Sequence, residues 1–100
     1  MENLLKFYIN GEWVAPLSDA TMPVLNPATE KQIGTVALGN EADVDRAVAA
    51  ASTAFEEFSQ TSKDGRLALL RKVRAITEAR MEELAQAMRM EMGAPITMSR

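Results

Sequence analysis

The side chains best suited to acid–base or cation chemistry in this sequence are two adjacent carboxylate pairs, Glu56-Glu57 and Glu82-Glu83, and a lone Glu91 two residues before Gly93. Neighbours on a helix point roughly 100° apart, so the two carboxylates of either pair cannot flank one substrate atom. Each pair reads as a solvated helix face. Glu91 differs, because it falls among the last carbonyls of a helix that Gly93 closes. Those oxygens lack partners and carry partial negative charge, so a carboxylate there needs a cation or a donor beside it, or else it points into water. Arg71, Lys72 and Arg74 form the tightest basic group. A solvated helix face is preferred for them over a phosphate site.

What is missing narrows the chemistry further. The 100 residues contain no cysteine and no histidine. This excludes a disulfide framework, a thiolate zinc site, a cysteine nucleophile and the usual general base within this stretch. Gly34 and Gly39 are not spaced as a dinucleotide loop, and no G-x-x-x-x-G-K-[ST] occurs. No catalytic or cofactor-binding residue is therefore assigned. The net charge of −3 argues against a nucleic-acid partner. No stretch reaches the ~20 apolar residues that span a bilayer, and Met1-Glu2-Asn3-Leu4-Leu5-Lys6 lacks the pattern of a secretory signal. The expectation is a soluble, cytoplasmic protein without membrane partners.

The elements that would position these side chains fall into two blocks. Leu5, Phe7 and Ile9 alternate with Lys6 and Tyr8, and Asn10-Gly11 is the pair a type I′ hairpin turn requires. Glu12-Trp13-Val14 returns. A second hairpin is predicted from Met22-Pro23-Val24-Leu25 and Ile33-Gly34-Thr35-Val36, with Asn26 and Pro27 suited to a type I turn and Pro23 to an edge position or a strand start. At Gly39-Asn40 the period changes. Asn40 is a helix cap with Asp43 in the first turn, and Val44, Ala47, Val48, Ala51, Phe55 and Phe58 make one apolar stripe over about 41–58. The alanines on this helix imply close approach to a neighbour.

Thr61 or Ser62 can cap the next helix. Leu69, Leu70, Val73, Ile76 and Thr77 form a second stripe, and Met81, Leu84, Ala85, Met88 and Met92 a third, closed by Gly93 with Pro95 beyond. No Gly or Pro separates these two, so the pattern fits either one helix over 64–92 or a break near Arg80. Met81, Met88, Met90 and Met92 crowd the last helix. A buried, gap-filling face is preferred over a promiscuous groove for them. Ala94-Pro95-Ile96-Thr97-Met98-Ser99-Arg100 reads as the start of another helix that stops without a body, so a truncated chain is expected.

Taken in order, these pieces resemble the N-terminal part of the NAD(P)-dependent aldehyde dehydrogenase superfamily. The matching segments are Phe7-Tyr8-Ile9-Asn10-Gly11-Glu12-Trp13, Val24-Leu25-Asn26-Pro27-Ala28-Thr29-Glu30, Ile33-Gly34-Thr35-Val36, and Ala42-Asp43-Val44-Asp45-Arg46-Ala47-Val48 with Ala50-Ala51 and Ala54-Phe55. Arg66 with Leu70, Glu83-Leu84-Ala85 and Glu91-Met92-Gly93-Ala94-Pro95 complete the set. No single piece is specific, but their order and spacing over residues 7–95 are.

The resemblance implies an α/β, aldehyde dehydrogenase-like fold. Of that fold this chain would be the N-terminal part: two β-hairpins (1–39), then two or three amphipathic helices (40–100) packing on the cofactor domain, with a break near Arg80. It implies a parent enzyme about five times longer that oxidises an aldehyde to a carboxylic acid and reduces NAD or NADP through a cysteine thiohemiacetal and thioester. Every catalytic and dinucleotide-binding group would lie beyond Arg100. It also implies a homodimer or homotetramer and a monovalent cation held by the backbone carbonyls of Val24 and Leu25 with Glu91, where Asp is frequent in the family. Two rival readings are a CoA-acylating relative and a stand-alone α+β interaction module that uses the Met-rich helix.

Overall fold

The computed structural model describes residues 2–100. Four strands precede four helices: β1 (Phe7–Ile9), β2 (Glu12–Val14), β3 (Thr21–Leu25), β4 (Gln32–Ala37), α1 (Glu41–Phe58), α2 (Lys63–Ala79), α3 (Met81–Met92) and α4 (Ile96–Ser99). The strands form two separate antiparallel hairpins, β1 with β2 and β3 with β4. The chain divides into two compact units, Met1–Leu25 with Gln32–Gln60, and Asn26–Lys31 with Thr61–Arg100.

In the first unit, Asn10 and Gly11 both carry positive φ (55° and 78°), the conformation a type I′ turn demands and Asn-Gly supplies. The turn sets the register Ile9↔Glu12, Tyr8↔Trp13 and Phe7↔Val14. The Tyr8 and Trp13 rings meet edge to face with centroids 5.2 Å apart, a favourable quadrupole arrangement. The second hairpin pairs Val24 with Gly34, and a register irregularity falls between Val24 and Leu25. Pro23 lies on a strand paired along one side only, so its missing N–H costs no ladder bond. Beyond the β3–β4 pairing, the Ala37 N–H donates to the Leu4 carbonyl (3.0 Å) and the Leu38 N–H to that of Ala20 (2.9 Å). At Gly34 a Cβ would stand 2.8 Å from Leu4 Cδ1, the end of a flexible side chain that would have to move aside.

α1 occupies the predicted span and begins in a full capping box. The Asn40 side chain accepts from the Asp43 N–H (3.0 Å), and the Asp43 carboxylate accepts from the Asn40 N–H (3.1 Å).

In the second unit the loop Asn26–Lys31 departs from the predicted type I turn. Its closing bond runs from the Glu30 N–H to the Asn26 carbonyl (2.7 Å), one residue further than a β-turn reaches. Glu30 takes positive φ (59°) to complete it, while Asn26 Oδ1 accepts from the Ala28 N–H (2.9 Å). Of the two candidate caps, Ser62 serves α2, accepting from the Gly65 N–H at 3.0 Å. The helix does break at Arg80, with φ −112° and ψ 15° and neither Gly nor Pro present. Arg80 then reaches forward to Glu83 Oε2 (2.7 and 3.1 Å). Gly93 ends α3 in the left-handed region (φ 72°), and Pro95 precedes the four-residue α4.

The apolar stripes predicted from periodicity are on the helices but are not covered in this chain. Val48 is 60% exposed, Phe55 66% and Leu70 63%. Among the described residues Ala85 is the one buried hydrophobic side chain. The methionine face expected to be buried is instead open at Met81, Met88 and Met92, with Met90 half-buried.

Candidate functional site

Of the residues that the resemblance offers as cation ligands, Val24 and Leu25 sit at the C-terminal end of β3, where the ladder to β4 shifts register. The residue this shift leaves without a cross-strand partner is Ile33 on β4, whereas Val24 and Leu25 stay opposite Gly34 and Gln32. Val24 is half-buried and Leu25 exposed. Glu91 lies in the last turn of α3, exposed, with no hydrogen bond or ion pair to any described residue. Val24 and Leu25 belong to the first unit and Glu91 to the second. No cluster of three His, Cys, Asp or Glu side chains is present among the described residues.

The two glutamate pairs behave as helix surface. Glu83 pairs with Arg80 and Glu82 with Arg100, which separates the members of that pair rather than directing them at one point. Glu82 accepts two bonds from Arg100 (3.0 and 3.1 Å) and one from Gln86 (2.9 Å). Those donors hold its carboxyl down to about 2. The pair is more than half exposed on both sides, so solvent screening leaves it little weight in stability. Arg74 is likewise taken up, by Glu78 one turn on (2.8 Å), and Arg71 and Lys72 are exposed on the same helix.

The most organised polar centre is Asp43, and its second role was not apparent from the sequence. It is 4% exposed. Beyond the cap, its Oδ1 accepts from the Leu17 N–H at 2.8 Å and lies 3.4 Å from Arg46 Nη2. Arg46 Nη2 also donates to the Ala15 carbonyl (2.9 Å). Asp43 and Arg46 together hold the segment after β2 against the start of α1. The Leu17 N–H, outweighing burial and helped by Asn40 and Arg46, keeps the Asp43 carboxyl below its ordinary 3.8. The spacing Asn40-x-x-Asp43 marks a capping box locally, but nothing local points to Leu17. Arg46 Nε is buried and has no hydrogen-bond partner among the described residues.

Beside this centre, β1 and α1 enclose an open apolar groove of about 600 Å³, lined by Phe7, Tyr8, Ile9, Gly39, Val44 and Ala47 together with Lys6 and Asp43. Sharing Tyr8, Ile9 and Ala47 with it is a smaller cleft of about 320 Å³ along the small side chains Ala47, Ala50, Ala51 and Ala54. Ala47 and Ala50 are half-buried there, but Ala51 and Ala54 are exposed, so the close approach that the alanines implied is not made along that part of α1. No group in either cavity is set to attack, protonate or abstract. Among the described residues no helix is long and apolar enough to cross a membrane.

Two hairpins lead into a capped, alanine-faced helix and a broken helix pair, and none of the described residues is placed as a reacting group. The chain belongs to the aldehyde dehydrogenase family, whose sequence profile it matches over residues 13–100. A Staphylococcus aureus protein classed as an aldehyde dehydrogenase is 50% identical over 99 residues, covering 99% of this chain and 21% of the relative. A 3-succinoylsemialdehyde-pyridine dehydrogenase from a Pseudomonas species is 48% identical over 96% of this chain and 20% of its own length. Aldehyde dehydrogenase C from Pseudomonas syringae, solved as a cysteine-to-alanine variant with NAD+ and octanal, superposes with a TM-score of 0.96 at 49% identity. That match covers 98% of this chain and 20% of the relative. The chain therefore spans about a fifth of the length of these relatives, and its fold is the N-terminal part of theirs.

Proposed function

We propose that this chain is the N-terminal portion of the cofactor-binding domain of an enzyme that oxidises an aldehyde to a carboxylic acid with reduction of NAD(P)+. The family match over residues 13–100 carries this reading. The uncovered apolar stripes of α1, α2 and α3 agree with it, since a face at helical period with nothing against it is the face another part of the protein buries. The chain's own contribution is architectural: hairpins 1–39 and helices 40–100 brace the dinucleotide domain. The aldehyde is attacked by a cysteine outside these residues. NAD+ is favoured over NADP+ by its presence with octanal in the P. syringae relative. The parent works in the cytoplasm as a homodimer or homotetramer.

The test is to supply the intact gene product with octanal and NAD+ and follow the absorbance of the reduced nicotinamide. Oxidation to octanoate that is lost on thiol alkylation is expected. Absence of reduced nicotinamide with octanal and shorter aldehydes, using either dinucleotide, overturns the proposal. An acyl-CoA product on adding CoA would assign the acylating branch instead. Expressed alone, the 100-residue chain should bind a hydrophobic dye or self-associate through its open stripes. A dye-silent monomer would contradict the bracing role.

The same reading includes a monovalent cation held by the Val24 and Leu25 carbonyls and Glu91. These are hard oxygen donors of the kind such ions take, and Glu91 has no competing protein partner among the described residues. Na+ or K+ should raise the melting temperature of the intact protein by a few degrees over an organic cation at matched ionic strength, and Glu91→Gln should abolish the difference. Identical melting of the parent in both salts rules the site out.

A further inference from the structure

The sequence holds four asparagines, Asn3, Asn10, Asn26 and Asn40, and the fold gives them unlike surroundings. The Asn40 side chain is bound to the Asp43 N–H in the capping box, and Glu41 comes after it. The Asn26 side chain is bound to the Ala28 N–H, and its next residue is Pro27, whose nitrogen bears no hydrogen and cannot act as a nucleophile. Asn3 precedes Leu4, whose branched side chain shields the peptide nitrogen. Asn10 alone combines an exposed side chain, no hydrogen bond to any described residue and a glycine next in the chain. A Cβ built on Gly11 would have nothing within 4 Å, so the space on the side-chain side of Gly11 is open.

We propose that Asn10 is a site of spontaneous deamidation. The Gly11 nitrogen attacks Asn10 Cγ, the N–Cγ bond forms, and the Cγ–Nδ2 bond breaks. Ammonia leaves, carrying the proton from Gly11. Water then opens the cyclic imide at Cγ to give aspartate, or at the main-chain carbonyl to give isoaspartate; no oxidant, metal or enzyme is needed. Attack requires the positive-φ turn to open. The turn joins strands of only three residues each, and a lone two-stranded hairpin is marginally stable, so opening is cheap. The isoaspartate product inserts a methylene into the main chain. The two-residue type I′ geometry is then lost, with it the Ile9↔Glu12 register, the Tyr8–Trp13 contact and the β1 wall of the apolar groove.

Incubation of the intact protein at mildly alkaline pH for weeks, followed by trypsin and mass spectrometry, provides the test. Cleavage after Lys6 and Lys31 isolates residues 7–31, which carry Asn10 and, as an internal control, Asn26. The expected result is conversion confined to residue 10, isoaspartate exceeding aspartate, at no less than about a tenth of the rate in urea. That ratio corresponds to an opening cost of no more than ~1.4 kcal/mol. The Asn10→Gln variant should show no conversion of this peptide over the same period. A folded-state rate below a tenth of the urea rate, or modification appearing first at Asn3 or Asn40, overturns the proposal.

Discussion

Replacing Asp43 with asparagine should lower amide-exchange protection at Leu17 and Asn40 by roughly 10–100-fold, the weight of a hydrogen bond to a charged acceptor. The substitution is nearly isosteric, so shape is preserved and chemistry is tested. In the parent, Oδ2 accepts from the Asn40 N–H and Oδ1 from the Leu17 N–H, with Arg46 beside it. An asparagine offers one acceptor, so whichever way the amide turns, its NH2 faces one of those N–H groups. Asp43→Ala should cost more, leaving both donors without a partner. The pH dependence carries the same signature. The folded carboxyl lies below its ordinary 3.8, so the folded state binds its proton less readily than the unfolded state. Its stabilisation is complete above that pH and is lost as pH falls through the folded value. Acid unfolding below about pH 4 should therefore flatten in Asp43→Asn. An unchanged exchange pattern together with an unchanged acid limb would show that the Leu17 tether contributes nothing.

The second large effect is expected at Gly93. Alanine there must adopt φ 72°, which costs an L-residue roughly 1–2 kcal/mol. Its Cβ would also stand 2.9 Å from Pro27 Cγ. A proline ring cannot swing aside as a flexible chain end does, and overpacking of this kind costs about 1–3 kcal/mol. Urea unfolding should place Gly93→Ala about 2–5 kcal/mol below the parent. A double-mutant cycle separates the two causes. Pro27→Ala made in the Gly93→Ala background should restore the overlap part and leave the backbone part. A loss under about 0.5 kcal/mol, or no coupling between the two positions, would show that the contact is not tight. By contrast, the flexible Leu4 side chain at Gly34 can yield, so the smaller penalty is expected there.

Several features were legible because they depend on residues a few positions apart. The Asn10-Gly11 turn, the Asn40 cap, the span of α1 and the Gly93 stop all arise from local sterics and hydrogen bonding, and the structure places each where the spacing predicted. The Asn26 loop was misjudged by one residue. Asn-Pro specifies that a turn starts, but Glu30 accepting positive φ decides where it closes, and glutamate gives no signal for that. The break at Arg80 left no Gly or Pro in the sequence, and one irregular dihedral pair within a periodic pattern is invisible to periodicity.

The sequence by itself determined the element types and order, the absence of a cysteine or histidine chemistry in these residues, and the family. What only the tertiary structure decided is which of these groups act together. Asp43 meets Leu17 across 26 residues and Arg46 meets Ala15 across 31, pairings set by how the chain returns on itself rather than by any local period. It also decided that the apolar stripes lie open here. Periodicity fixes which side of a helix is apolar, whereas burial depends on a second surface being present to meet it.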